Sequence, residues 1–470
     1  MDLRIESLNP LFNPGQIAVI GATPDLTRIG GRPIMYLLEA GYQGGIHPVN
    51  PKYDHISGLP CYAKVSDVPG EVDLAVIALP GPLVRPAIED CAAKGVSAAI
   101  IFSAGFAETG EAGARAEKDI VDLARSHGMR VLGPNCLGMF NVSRDIYTTF
   151  SIGIQTGRPK KGRLGFVTQS GAFGSHVFSL AREQQVGLSY WMATGNEADV
   201  DVADCIAFLA SDPGTDVIAC YIEGCKDGEK LLAAFEAARA NRKPVIMLKV
   251  GRTEAGRRAA LSHTAALVGD DEVYQAVFRQ KGVYRARTIE EFMDVASACT
   301  LLPFPQGDRI AVFTVSGGVG ILMADQIAEN GLHLPETPQE VQKRLLEVLP
   351  FAAVENPIDV TGQIVNQPTL LRDFMDIVLG SGAFDMSVSF LAHGGLSVPV
   401  MENQLAELGK VRAKHPRAPF IMSTLVTPET KRMISEAGFA AVEDPSRAVT
   451  IISALYYFKR SFDDAGRPDR

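Results

Sequence analysis

Short apolar, β-branched runs alternate with helix-length amphipathic segments along almost the whole chain. In the first third, QIAVIGA (16–22), GGIHPVN (44–50), DLAVIAL (73–79), SAAIIFSAG (97–105) and MRVLGPN (129–135) predict strands, with helices such as RPIMYLLEAG and GPLVRPAIEDCAAKG between them. Apolar runs bounded by Gly, Pro and Asn and separated by helices predict βαβ units and parallel sheets. A Gly/Pro/Lys break, QTGRPKKG (155–162), opens a second series: RLGFVTQSG, GLSYWMATG, VIACYIEG and PVIMLKVG, with helices such as DGEKLLAAFEAARA. The proline-rich LLPFPQGD (301–308) precedes a third, with RIAVFTVSGGVG, FDMSVSFLAHGG and APFIMSTLV. The expected organisation is α/β, with three doubly wound parallel-sheet domains at 1–150, 151–303 and 304–470 and linkers near 150–162 and 301–308.

Bulk composition narrows the function classes. The chain has 470 residues, 46% hydrophobic and 21% charged, an ordinary globular balance too long for one core. A formal net charge of -9 disfavours nucleic acid as a partner. Seven cysteines without a C-x-x-C pair predict a reducing compartment, with no disulfide framework and no zinc site. No apolar run reaches membrane-spanning length, and the N-terminal MDLRIESLNPLFNPG lacks a signal-like apolar core, so a cytoplasmic protein with no membrane partner is expected.

The first candidate chemistry is IAVIGATPDLTRIGG (17–31), a strand, glycine turn and helix start of the kind that brings backbone N–H groups towards a phosphate. Where an NAD fold usually has Asp or Glu after its second strand, this chain has Asn50, Pro51 and Lys52. A lysine there suits an added phosphate, which points to NADP or coenzyme A. The other strand ends, Leu79-Pro80-Gly81, Ser103-Ala104-Gly105 and Gly133-Pro134-Asn135, line the ligand crevice expected of such a sheet.

Taken together, IGA, PVNPKY, SAGF and LGPNCLG resemble the coenzyme A-binding domain of the NDP-forming acyl-CoA synthetases, the superfamily of the succinyl-CoA synthetase α subunit. The resemblance continues through TQSGAFG (168–174), GNEADVDVADCIAFLASDPGTDVI (195–218), YIEGCKDG (221–228) and GRTEAGRRAALSHTAALVGDDEVYQAVFRQKGV (251–283), and covers essentially the whole chain. It implies a Rossmann-like CoA-binding domain and two flavodoxin-like domains of succinyl-CoA-synthetase type. It also implies that His263 is transiently phosphorylated, with Glu223 orienting its ring. The small neighbours of His263 fit such a role, because an in-line phosphoryl transfer needs open access. The family often has SHTGAL where this chain has SHTAAL, so Ala265 keeps the loop small while stiffening it slightly.

The same resemblance assigns phosphate to two helix starts, Ser170-Gly171-Ala172 and Ser316-Gly317-Gly318, the latter flanked by ENPIDVTGQ (355–363). Coenzyme A is assigned to Gly21, Ala22, Thr23, Asn50, Lys52, Pro80, Ser103 and Asn135. His47, His127 and His176 are read as structural. The acidic run with Asp199, Asp201 and Asp204 is read as a solvated turn and helix N-cap rather than a metal site, since it lacks the pattern of a calcium loop. No metal site is expected in this chain.

Neither a Walker motif nor an ATP-grasp segment lies among the 470 residues. The expected protein is therefore the α-type subunit of an NDP-forming acyl-CoA synthetase working in a hetero-oligomer. An ATP-grasp β-type subunit would bring ATP/ADP or GTP/GDP with Mg2+, and a small carboxylic acid or its acyl-CoA would be the substrate. Two other readings stay open at this point: a non-catalytic CoA-binding regulatory protein, and an NADP-dependent dehydrogenase.

Overall fold

The computed structural model describes residues 5–258, 269–365 and 367–465. The chain divides into two compact units, residues 1–286 and 287–470. The first unit holds two sheets, each built from the apolar runs noted above.

The first sheet has the strands β1 (Gln16–Ile20), β2 (Gly45–Val49), β5 (Leu74–Ile77), β6 (Ala98–Ile101) and β7 (Arg130–Leu132), in the order β2-β1-β5-β6-β7 and parallel throughout. A small antiparallel pair, β3 (His55–Ile56) and β4 (Leu59–Pro60), lies between β2 and β5 in the chain. Every residue of β5 and β6 is buried, as expected for strands covered by helices on both faces. The strand order reverses between β1 and β5, which opens a crevice at their carboxyl ends.

The second sheet runs β14-β13-β12-β10-β11-β8-β9. Its parallel strands are β10 (Lys161–Thr168), β11 (Leu188–Ala193), β12 (Val217–Ile222), β13 (Val245–Lys249) and β14 (Tyr284–Arg285). A hairpin, β8 (Gly138–Asn141) and β9 (Ile146–Thr149), extends it antiparallel to β11. The structure thus places residues 138–149 in the second sheet, earlier than the expected break at 150. The apolar surface of β11 explains why: Trp191 stacks on Phe140 at 5.1 Å and donates its indole N–H to the Gly174 carbonyl. The expected linker is itself anchored, for Arg182 Nη1 bonds to Gly153, Thr156 and Gly157.

The acidic run 199–204 corrects the sequence reading. Asp199 and Asp204 are buried, not solvated. Asp199 accepts from Arg125, from Arg130 and from the Val131 N–H, while Asp204 meets Arg130 at 3.3 Å and Lys230 at 2.6 Å. Asp201 does cap the helix Val202–Ser211, in a reciprocal box with Asp204. The sequence showed the charges but not their partners, which come from the helix Glu111–Ser126, from β7 and from the helix Gly228–Ala240, distant in the chain.

The second unit is built on β15 (Ile310–Thr314), β16 (Ile358–Asp359), β17 (Met386–Phe390), β18 (Phe420–Ser423) and β19 (Ala440–Val442), all parallel and ordered β16-β15-β17-β18-β19. The helix Ile289–Leu301 belongs to it, ahead of the expected boundary at 303. Arg447, on the helix Pro445–Asp464, holds Asp294 with two bonds of 2.8 Å and reaches Glu290. Among the described residues no helix is long and apolar enough to cross a membrane.

Arg130 is the centre of the buried ion network. Burial alone would push the Asp199 carboxyl up, but the Arg130 guanidinium and its hydrogen bonds hold it below its ordinary value. Arg130→Met is expected to cost about 3–5 kcal/mol at neutral pH, read from a urea midpoint. A depressed carboxyl stabilises the fold above its unfolded pKa of about 3.9, so the wild-type advantage shrinks as the pH falls below that range.

Candidate active site

Three strand-end clusters carry the residues singled out in the sequence. At the first, the chain leaves β1 through Gly21, whose φ of +84° favours glycine. The Gly21 and Ala22 N–H groups bond to the Val49 carbonyl, and a side chain at Gly21 would lie 2.5 Å from the Ala78 carbonyl oxygen. The turn folds back so tightly that a Cβ at Gly30 would meet the Gly21 oxygen at 2.1 Å. The helix Arg32–Ala40 then begins.

Several residues assigned to coenzyme A brace this crevice. Asn50 donates its amide to the Ala22 carbonyl at 2.7 Å and accepts from the Lys52 N–H at 3.0 Å. Ser103 donates its hydroxyl to the Leu79 carbonyl, and Asn135 bonds through its side chain to Asn196. Thr23 accepts from the Asp25 N–H. Lys52, Pro80 and Asn135 are exposed, whereas Ala22 is buried.

The second cluster lies at the end of β10. Thr168 Oγ1 both donates to the Ser170 carbonyl and accepts from its N–H, turning the chain into the helix Gly171–Glu183. Ser170 caps that helix, accepting from the Phe173 N–H. A Cβ at Gly171 would lie 2.7 Å from the Leu137 side chain. Glu223 stands directly after β12, the neighbour of β10, and is 7% exposed. The Tyr221 hydroxyl donates to its Oε1 at 3.5 Å, and burial together with the Glu223 charge keeps that phenol protonated. His263 lies outside the described residues.

The third cluster, in the second unit, repeats the turn of the second. Thr314 Oγ1 donates to the Ser316 carbonyl and accepts from its N–H before the helix Gly317–Glu329. Gly317 and Gly318 are exposed. Asp359 stands at the end of β16, beside β15, where its carboxylate accepts from the Thr361 N–H. In the segment ENPIDV, Asn356 is a brace: it accepts from the Val312 N–H and donates to Ile310 and Pro335 carbonyls. Among the described residues no group of three or more His, Cys, Asp or Glu side chains is placed to hold a metal.

Three family profiles match along the chain: a CoA binding domain over residues 15–141, a succinyl-CoA ligase like flavodoxin domain over 161–299, and a ligase-CoA domain over 310–427. The chain is 36% identical to the alpha subunit of acetate--CoA ligase [ADP-forming] I from Pyrococcus furiosus, covering 97% of this chain and 98% of that one. It belongs to the ADP-forming acyl-CoA ligases. Acetate--CoA ligase [ADP-forming] I of Archaeoglobus fulgidus is also 36% identical, over 95% of this chain but 63% of its own length. Acetyl-coenzyme A synthetase 1 of Ca. Korarchaeum cryptofilum, solved in complex with phosphate and ADP, superposes with a TM-score of 0.90 at 33% identity, over 97% of each chain. This membership decides against the regulatory and dehydrogenase readings.

In this ligase the fold brings to the second cluster residues not singled out in the sequence. Gln169 and Glu197 bond to each other beside Glu223. Lys249, the last residue of β13, is only 2% exposed; its ammonium donates to the Val250 carbonyl and lies 4.7 Å from the Tyr274 ring centre. A signal for it was visible, since a lysine closes the otherwise apolar run PVIML. Burial pulls its pKa down to about 8 despite the charge of Asp271. Lys249→Met is expected to raise ligase stability by roughly 1–3 kcal/mol at pH 7. Between pH 8 and the unfolded value near 10.4 the native lysine binds fewer protons than the unfolded one. The wild type therefore gains stability as pH rises, and the gap between the two denaturation midpoints closes.

Proposed function

We propose that this chain carries the coenzyme A and acyl-phosphate half of an ADP-forming acyl-CoA ligase as its α-type subunit, with His263 as the phosphoryl carrier. In the thioester-cleaving direction, a phosphate oxygen attacks the acyl-CoA carbonyl carbon. The carbon–sulfur bond breaks, and the thiol leaves with the proton given up by phosphate. A ring nitrogen of His263 then attacks the phosphorus of the acyl phosphate, and the carboxylate leaves with the bridging oxygen. Run in reverse, the same steps make acyl-CoA from phosphohistidine, acid and CoA.

The observation that carries this reading is the meeting, at the carboxyl edge of the second sheet, of a capped helix start at Ser170 with the buried carboxylate of Glu223. Backbone N–H groups around Ser170, Gly171 and Ala172 would hold phosphate oxygens, aided by the helix dipole. Glu223 would accept a hydrogen bond from the far nitrogen of the His263 ring, fixing its tautomer and stabilising the charged phosphoimidazole. Ser316, Gly317 and Gly318 would serve phosphate at the second helix start. Coenzyme A would lie over Gly21, Ala22 and Thr23, with Pro80, Ser103 and Asn135 along the crevice and the exposed Lys52 available to its added phosphate. Asn50 would act by shaping the turn rather than by offering its side chain. The nucleotide and Mg2+ would enter through an ATP-grasp β-type partner in a cytoplasmic hetero-oligomer.

Incubation of the chain with labelled phosphate and a panel of acyl-CoAs is expected to give alkali-stable, acid-labile label that is absent from His263→Ala. Glu223→Gln should slow labelling about 10- to 100-fold, the usual weight of a carboxylate that orients a histidine. The same assay is run with an ATP-grasp partner and nucleotide. Absence of label in both formats would overturn the phosphohistidine reading.

A further inference from the structure

We infer that Gln169 and Glu197 form a positioning pair that fixes Glu223 against the helix start at Ser170, an inference that rests on the proposed role of Glu223. Gln169 lies between the end of β10 and Ser170, and its side-chain amide is fully engaged. Its Oε1 accepts from the Glu223 N–H at 2.5 Å and the Gly224 N–H at 3.2 Å. Its Nε2 donates to the Gly224 carbonyl and to Glu197 Oε2, both at 2.8 Å. The Gln169 backbone N–H adds a bond to the Tyr221 carbonyl. One residue therefore grips both sides of the turn that carries the Glu223 carboxylate.

Glu197 pins that amide from its far end. Its Oε2 accepts from the NH2 of Gln169 while the two N–H groups after β12 hold the oxygen, so both ends agree on one orientation. A flipped amide would set oxygen against carboxylate and NH2 against two N–H groups. Glu197 cannot turn away, because its other oxygen accepts from the Thr194 hydroxyl at 2.9 Å and the Val202 N–H at 3.0 Å. It is 7% exposed, and burial, with the charge of Asp201, pushes its carboxyl up to about 7.

The buried acid at 197 serves three donors at once, the Thr194 hydroxyl, the Val202 N–H and the Gln169 amide, so the glutamine beside Glu223 is tied to a fixed anchor. Buried polar networks with every member satisfied fix one geometry, and reaction rates are steep in the placement of the reacting groups.

The test compares Gln169→Ala, Gln169→Glu, Glu197→Gln and the swapped pair Gln169→Glu/Glu197→Gln. The rate of His263 labelling from labelled phosphate and the wild type's best acyl-CoA is measured against CoA affinity by calorimetry. The three single variants are expected to label about 10- to 100-fold more slowly with the CoA dissociation constant within about twofold of wild type. The swapped pair restores an acceptor for the 223 and 224 N–H groups and a donor between the two side chains, but sets a carboxylate oxygen against the Gly224 carbonyl, so it should recover part of the rate lost in Gln169→Glu. Labelling at the wild-type rate in Gln169→Ala would overturn the inference while leaving the phosphohistidine reading intact. So would parallel loss of labelling and CoA binding, since that marks a purely structural role. If the wild type itself takes no label in either format, the reading of Glu223 falls and the positioning role falls with it.

Discussion

The first unit depends on one buried polar stretch, Thr194 to Asp204, that must satisfy two sheets at once. On one side it knits to the end of the first sheet: the N–H groups of Asn196, Ala198 and Val200 bond to Pro134, Gly133 and Val131 carbonyls, and Asp199 holds Arg130. On the other side Glu197 holds Gln169 of the second sheet. The edge assigned to coenzyme A and the edge assigned to phosphate chemistry are thus joined by a few residues in which nearly every polar atom is used. In a low-dielectric interior such a network is strong when complete and costly when broken.

Much of the fold was legible in the sequence. The strands named from apolar runs form where expected, because a strand covered on both faces must be apolar throughout. The turns at Gly21 and at the two T-x-S-G segments were also visible; at Gly21 and Gly171 the close approach of Ala78 and of Leu137 leaves no room for a Cβ. The pairings that cross the expected domain edges were not legible. Gly138–Thr149 has its strand partner at Leu188–Ala193, and the Ile289–Leu301 helix is held by Arg447. Both pairings are long-range, so nothing local announces them. The partners of the 199–204 acids were hidden for the same reason.

The candidate site was legible in type more than in detail. Glu223 and Ser170 meet because β10 and β12 are adjacent, a consequence of sheet order rather than of any local motif. Asn50 stands at a strand end where a ligand residue is expected, and its amide also closes the Gly21 turn. A polar residue at a strand end can serve ligand or backbone equally well, and only the hydrogen-bond geometry separates the two. The two helix starts use one device, a threonine two residues before the cap that both donates to and accepts from the serine backbone.

Whether acyl transfer between CoA and an oxyanion belongs to this chain is read most simply by replacing phosphate with arsenate. Acyl arsenates hydrolyse spontaneously, so transfer is seen as thiol release from acyl-CoA. Arsenate-dependent thiol release is expected from the wild type and should persist in His263→Ala, because the proposed histidine step follows cleavage of the thioester. Failure to release thiol from any acyl-CoA, with or without an ATP-grasp partner, would contradict that assignment.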